Sequence, residues 1–159
     1  MIIKRQLLLI AMTFMVIAAS AQVYTVSSLP KVLSQAEQDS VQKVERLAAL
    51  NFHELINDYR EENGADRLVW DDTLWLASRN HCVWMSSNSE LSHHQKENTP
   101  DFTGDSPGDR YRFAAENNTS ASWSGENALY NWTGRGSSID KLAKEIAEYS
   151  FNQWKNSPG

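Results

Sequence analysis

The chain has 159 residues, 20 acidic against 15 basic side chains, a formal net charge of −5 at pH 7 and one cysteine. No basic stripe offsets the negative charge, which argues against nucleic acid and anionic membrane surfaces as partners. The single cysteine, Cys82, excludes an internal disulfide, so the fold must depend on its apolar core.

The first 21 residues have the three parts of a secretory signal. Lys4 and Arg5 form a positive n-region, and Leu7–Ala18 follows as an apolar stretch that is too short to span a bilayer. Ala19-Ser20-Ala21 has the small-x-small pattern that a signal peptidase cleaves. We therefore predict cleavage after Ala21 and a secreted or periplasmic protein with no stable membrane anchor. An uncleaved N-terminal anchor is the alternative.

The part behind the signal divides into a tether and one domain. Residues 22–38 are polar and read as a lead-in, and residues 39–159 are expected to form the domain. A helical pattern begins near Asp39, with apolar residues at three- and four-residue steps. Gly64 is placed to cap the C-terminal end of this helix.

A second helix follows after a short extended link. Asp71 or Asp72 can cap its N-terminus, and the pattern continues to about Met85. Residues 86–123 have little apolar periodicity and are rich in Ser, Asn, Asp, Gly and Pro. A loop of that length in a compact domain is either functional or contains short elements that the pattern does not resolve.

A last helix is predicted near the end of the chain. It begins at Ser137 or Ser138, either of which suits an N-cap, and reaches Trp154. One face carries the apolar residues Ile139, Leu142, Ala143, Ile146 and Tyr149.

The four histidines differ in their surroundings. His53 and His81 lie within helical patterns, where a packed or surface role is the common one. His93 and His94 lie in the polar loop, where ligand-binding and catalytic groups concentrate. A functional role and a plain loop role both stay open for these two.

Glu126 is an acid embedded in apolar sequence. A buried carboxylate needs a cation, a metal or several hydrogen-bond donors, and capping of local backbone amides is the alternative. No Gly-x-Ser-x-Gly elbow or His-Glu-x-x-His helix is present, and the His93–His94 pair lacks the ligand spacing of a structural zinc site. The residues alone therefore define no reaction.

Five segments stand out in chain order: LNFHELINDYREENG (50–64), LVWDDTLWLASRNHCVWM (68–85), the L-S-H element Leu91–His93 followed by Arg110 or Arg112, the WSGENA box (123–128) and FNQWKNSPG (151–159). In this order they resemble signatures of the CAP family, named for cysteine-rich secretory proteins, antigen five and pathogenesis-related proteins. The last segment is similar to the W-x-x-S-P-G-H segment of bacterial members.

This resemblance implies an α+β fold, an α-β-α sandwich in which helices cover both faces of a small, mostly antiparallel sheet. Family members present a cleft with two His and two Glu that can bind a divalent cation such as zinc. Carried over, His93 takes the first His position and Glu126 the first Glu position, with Asn127 beside it in the cleft. Ser157 stands at the second Glu position, so His93 and Glu126 are metal ligands of an incomplete set.

The chain ends one residue before the position of the second family His. We therefore expect the natural bacterial protein to continue after Gly159 with this His and with the final strands of the sheet, which this chain lacks.

The resemblance favours a secreted, monomeric CAP-domain module that binds a lipid, a wall glycan or a peptide in its cleft and catalyses no reaction. The one candidate cofactor that the resemblance suggests is a divalent cation such as zinc. A metal-assisted hydrolase or peptidase is the first alternative, with His93 holding zinc and Glu126 activating water. An exported interaction or structural module that uses residues 86–123 as its contact surface is the second.

Overall fold

The computed structural model describes residues 35–117, 125–129 and 138–157. Within these ranges there are helices and no strand, so the predicted sandwich is seen only in its helices and its sheet stays a prediction. The signal, the first part of the lead-in and the glycine turn at 134–136 lie outside these ranges. The helices are α1 (Gln35–Glu62), α2 (Asp72–Asn88), α3 (Pro107–Ala114) and α4 (Ile139–Lys155).

The main apolar core lies between α1 and α4. α1 begins a few residues earlier than the pattern predicts and ends at the predicted cap, where Gly64 has a φ of +74° and its N–H donates to Glu61 O (3.0 Å). Apolar side chains at three- and four-residue steps bury one face of each helix against the other. The buried members are Val44, Ala48, Phe52 and Ile56 from α1 and Ala143, Ile146 and Ala147 from α4.

The extended link between α1 and α2 is fixed to α1 by one buried amide. The Asn57 side chain accepts a hydrogen bond from Leu68 N (2.7 Å) and donates one to Leu68 O (3.1 Å). It thereby pairs with both backbone polar groups of Leu68, as the backbone of an adjacent β-strand does. Arg67 next to it pairs with three carboxylates along α1. These contacts set the point at which α2 begins.

α2 begins at the first of the two predicted caps. Asp71 Oδ1 accepts from Thr73 N (2.7 Å) and Leu74 N (3.0 Å), which satisfies two of the free amides at the helix start. The helix extends to Asn88, slightly beyond the predicted end. Cys82 is partly buried against Trp84 and Met85 on this helix, as a small apolar residue would be.

α3 lies inside the segment that the sequence pattern left unresolved. Ser106 and Asp109 form a reciprocal capping box at its N-terminus, and Pro107 occupies its first turn. Its Tyr111 packs on Leu74, and Ala114 packs on the neighbouring turn of α2. α2 and α3 thus form a second packed pair.

The two helix pairs are joined by ion pairs. Arg79 Nε on α2 donates to Glu45 Oε2 on α1 (2.8 Å), and Arg46 on α1 contacts Asp72 at the start of α2 (2.5 Å). Burial raises the pKa of Glu45, and the adjacent Arg79 opposes this rise. Within the ranges the structure describes, none of the helices is both long and apolar enough to cross a membrane.

Candidate functional site

The carboxylate of Glu126 is the centre of a polar cluster against α2 and α3. Its side chain is only 3% exposed. Oε2 accepts from Arg110 Nη2, Oε1 accepts from His93 Nδ1 (2.9 Å), and His81 Nε2 lies 3.5 Å from Oε1. Residues 125–129 therefore place an acid between three nitrogen-bearing side chains that are distant from it in sequence.

Arg110 connects the carboxylate to the loop that precedes α3. Its side chain is 1% exposed, and its Nη1 donates to three backbone carbonyl oxygens: Asp105 (2.7 Å), His93 (3.2 Å) and Gly104 (3.4 Å). A buried guanidinium needs this many acceptors because it cannot lose its proton. Arg110 thereby fixes the position of His93 through the backbone.

Gly104 allows the same loop to approach α3. Its φ is +144°, and a Cβ at this position would lie 2.6 Å from Asp109 Cβ. Only glycine avoids both the backbone strain and the clash. The loop that supports the site therefore depends on one glycine.

The charge state of Glu126 follows from its neighbours. Burial is the largest influence and raises the pKa of the carboxyl. Hydrogen bonds from His81 and His93 and the positive charge of Arg110 together outweigh burial and lower this pKa to about 2. Glu126 is therefore ionised at neutral pH and accepts hydrogen bonds only.

His81 is fully buried behind the carboxylate, in the middle of α2. Its Nε2 lies 2.8 Å from Ser92 O, its Nδ1 lies 3.0 Å from Gln95 Nε2, and its ring stacks on Trp84 at a centroid distance of 5.8 Å. Gln95 is 3% exposed, and its Oε1 accepts from Thr103 N (2.7 Å). Every polar atom of the His81 ring thus has a defined partner.

The predicted site residues are only partly brought together. His93 and Glu126 are in direct contact. Asn127 is exposed, Ser157 is exposed just beyond α4, and neither belongs to the hydrogen-bond network of Glu126 in the part of the chain described. Of the two candidate arginines it is Arg110 that pairs with Glu126.

The other predicted histidines have different surroundings. His94 is exposed and pairs with Asp105 (3.0 Å). His53 is buried, edge-on to Trp70 at 5.5 Å, so of the two predicted roles, packed or surface, it has the packed one. His81 takes the packed one of the two roles predicted for it, packed or surface, but its contact with Glu126 was not predicted because residues so far apart in sequence meet only through the fold. Its place in the family-like segment 68–85 was the available signal.

The residues described here do not fit a zinc ion. They contain no group of three or more His, Cys, Asp or Glu side chains that could hold a metal. Both oxygens of Glu126 are engaged by hydrogen-bond donors, and a divalent cation there would lie against the buried positive charge of Arg110. The other ring nitrogen of His93, Nε2, does not face Glu126, and the His93 side chain is exposed.

Comparison with known proteins places this cluster inside a recognised family region. The model of the CAP family, described as the cysteine-rich secretory protein family, matches residues 53–159. The matched region covers more than half of the chain and includes every residue of the cluster. No curated protein and no solved structure matches the chain.

Proposed function

Because the chain belongs to the cysteine-rich secretory protein family, we propose that it is a secreted interaction module that binds its ligand around His93 and catalyses no reaction. A lipid, a wall glycan and a peptide are the ligand classes to test. The proposal includes export by the N-terminal signal and a monomeric state.

The state of Glu126 is the observation that carries the proposal. A general base needs a pKa near the working pH and a free lone pair aimed at the proton it removes. Glu126 has a pKa of about 2, is 3% exposed, and has donors on both oxygens. It therefore orients its neighbours and is unsuited to activate water.

His93 is the exposed member of the cluster. Its side chain is 56% exposed, and its Nδ1 is engaged by Glu126. The ring is therefore held in one orientation with Nε2 available for a ligand. An oriented, exposed hydrogen-bonding group on a fixed loop is the arrangement of a binding site.

Binding is tested on the full chain and on His93→Ala, with His94→Ala as the matched control. His94 is the adjacent exposed histidine, and it pairs with Asp105 instead of Glu126. The probes are an N-acetylglucosamine oligosaccharide, phosphatidylcholine vesicles and a mixed peptide library. Loss of an oriented hydrogen bond costs about 1.4 kcal/mol, so we expect roughly tenfold weaker binding of one probe class in His93→Ala and no change in the control.

Turnover of a peptide and of an ester is measured on the same samples. The proposal expects none above background. Turnover that His93→Ala abolishes would instead establish the hydrolase. Binding that is unchanged in His93→Ala but lost when the exposed residues 96–98 are replaced would instead support the segment 86–123 as the contact surface.

A further inference from the structure

The hydrogen bonds around His81 define which of its ring nitrogens carries the proton. Thr103 N is a backbone amide and can only donate, so it fixes the acceptor end of Gln95 as Oε1. The amide nitrogen of Gln95 therefore faces His81 Nδ1, and it donates. Nδ1 must accept, so the proton of the ring lies on Nε2.

The other side of the His81 ring agrees with this assignment. Nε2 faces two oxygens that only accept, Ser92 O at 2.8 Å and Glu126 Oε1 at 3.5 Å. An Nε2–H donates to Ser92 O and turns its positive end toward the nearby Glu126 carboxylate, whereas a bare Nε2 would place a lone pair against both oxygens. Two independent sets of partners thus require the same tautomer.

The same logic extends to His93. Glu126 is a carboxylate and only accepts, so the His93 Nδ1 that lies 2.9 Å from Oε1 must donate. In a neutral imidazole a proton on Nδ1 leaves a lone pair on Nε2. The exposed end of His93 is then a hydrogen-bond acceptor.

We infer that Glu126 holds His93 in the Nδ1–H tautomer and so presents its Nε2 as an acceptor, while Thr103 and Gln95 hold His81 behind the carboxylate as Nε2–H. We call this set of directed contacts the relay. The site therefore takes a ligand bearing a hydrogen-bond donor. The ligand class is a hydroxyl, an amide N–H or an ammonium group, and ligands that only accept, such as carboxylate or sulfate, are rejected. This ligand class rests on the proposed binding function, while the relay itself is a property of the unliganded protein. Glu126, His81 and Gln95 are positioning residues, since they act on a ligand only through His93.

The relay differs from the ligand set that family resemblance implies. There Glu126 would contribute an oxygen to a metal ion. Here Oε1 accepts from His93 Nδ1 and Oε2 accepts from Arg110, so the carboxylate influences a ligand only through His93. Carboxylates behind a histidine commonly set its tautomer and orientation in this way.

The relay is tested by two-bond ¹H–¹⁵N correlation NMR of the histidine rings in the full chain. The spectra are recorded at alkaline pH, and the tautomers are read where the ring ¹⁵N shifts are those of neutral imidazole. We expect His81 to carry its proton on Nε2 and His93 to carry its proton on Nδ1. The opposite tautomer at either ring in the unmodified chain would overturn the relay.

Glu126→Gln tests whether Glu126 sets the tautomer of His93. A glutamine amide can donate as well as accept, so the requirement for a donor at His93 Nδ1 is removed. We expect His93 to gain the Nε2–H tautomer in this variant and to keep Nδ1–H in Glu97→Gln, which changes an exposed acid outside the cluster. A folded Glu126→Gln variant with unchanged His93 signals would show that Glu126 does not set the tautomer.

The ligand class is tested by titrating small probes and following the His93 Nε2 resonance. N-acetylglucosamine, glycerol and N-methylacetamide supply donors, while acetate and sulfate supply acceptors only. We expect saturable shifts with at least one donor probe. The acceptor-only probes should bind at least roughly tenfold more weakly than that donor probe, a difference that corresponds to about 1.4 kcal/mol. Preferential binding of acetate or sulfate would overturn the ligand class. If the rings show the expected tautomers but none of the probes binds, the proposed function would be overturned while the relay would still hold.

Discussion

Substitution of Glu126 by Gln should lower the free energy of unfolding substantially at neutral pH. The pKa of Glu126 is lowered from 4.5 to about 2, and each tenfold change in an equilibrium constant is worth about 1.4 kcal/mol. The ionised carboxylate therefore contributes about 3 kcal/mol. Removing one member of a buried ion pair costs about 3–5 kcal/mol in general, because it leaves the other charge uncompensated, here that of Arg110.

The sign of the pH dependence follows from the lowered pKa. A carboxyl with a lowered folded-state pKa contributes fully above its unfolded value of 4.5, and its contribution is lost as the pH falls toward 2. The stability difference between the unmodified chain and Glu126→Gln should therefore be largest at neutral pH and shrink across this acid range. Other carboxyls with lowered pKa values, such as Asp109, titrate in both proteins and cancel in the difference.

The assay is urea unfolding at a series of pH values, followed by far-UV circular dichroism. Glu97→Gln is the matched control, because Glu97 is exposed and surface substitutions of this kind change stability by about 0.5 kcal/mol or less. A loss below about 1 kcal/mol at neutral pH, or a difference that stays constant down to about pH 2, would refute the assignment of Glu126 as a buried, ionised partner of Arg110.

Three further substitutions test the scaffold of the site, each by urea unfolding. Gly104→Ala should destabilise by more than about 1 kcal/mol, because the positive φ and the approach to Asp109 leave no room for a Cβ, and an unchanged midpoint would contradict this geometry. Asn57→Ala should cost about 2–3 kcal/mol, because it removes both hydrogen bonds to Leu68 and leaves the Leu68 N–H without the acceptor that Asn57 supplied. If the loss of unfolding free energy is no larger than for the same substitution at an exposed asparagine, the link between α1 and α2 is held by other contacts. Ser106→Ala should cost about 1 kcal/mol through loss of the N-cap of α3, and Ser106→Thr, which keeps the hydroxyl, should restore most of it, whereas equal losses in both variants would argue against capping.

The sequence predicted the long helices because their cores follow the helical period. α1 and α4 bury residues at three- and four-residue steps, and Gly64, Asp71 and Ser138 end or begin helices where their chemistry predicts. α3 was not predicted, because two turns are too short to show a period. Its capping box was the readable signal, but the Pro-Gly pair inside it reads equally well as a turn.

The candidate site was predicted in its two principal residues and missed in its supporting ones. His93 and Glu126 stood out because their residue types are unusual for their surroundings. Gln95 is an ordinary loop glutamine in the sequence, and its role arises only from burial beside His81. The choice between Arg110 and Arg112 likewise depended on which face of α3 packs inward, and this is set by tertiary contacts.

The pairing of Glu126 with Arg110 also determines how one part of the chain should open. In the described part of the chain, the side-chain hydrogen bonds and ion pairs of residues 125–129 are all made by Glu126. Any opening that exposes Glu126 must break its contacts with Arg110 and His93, so this pairing should raise the free energy of that opening and slow amide exchange at residue 126. Since both charged groups are buried, added salt should change this exchange rate far less than it would for a surface ion pair.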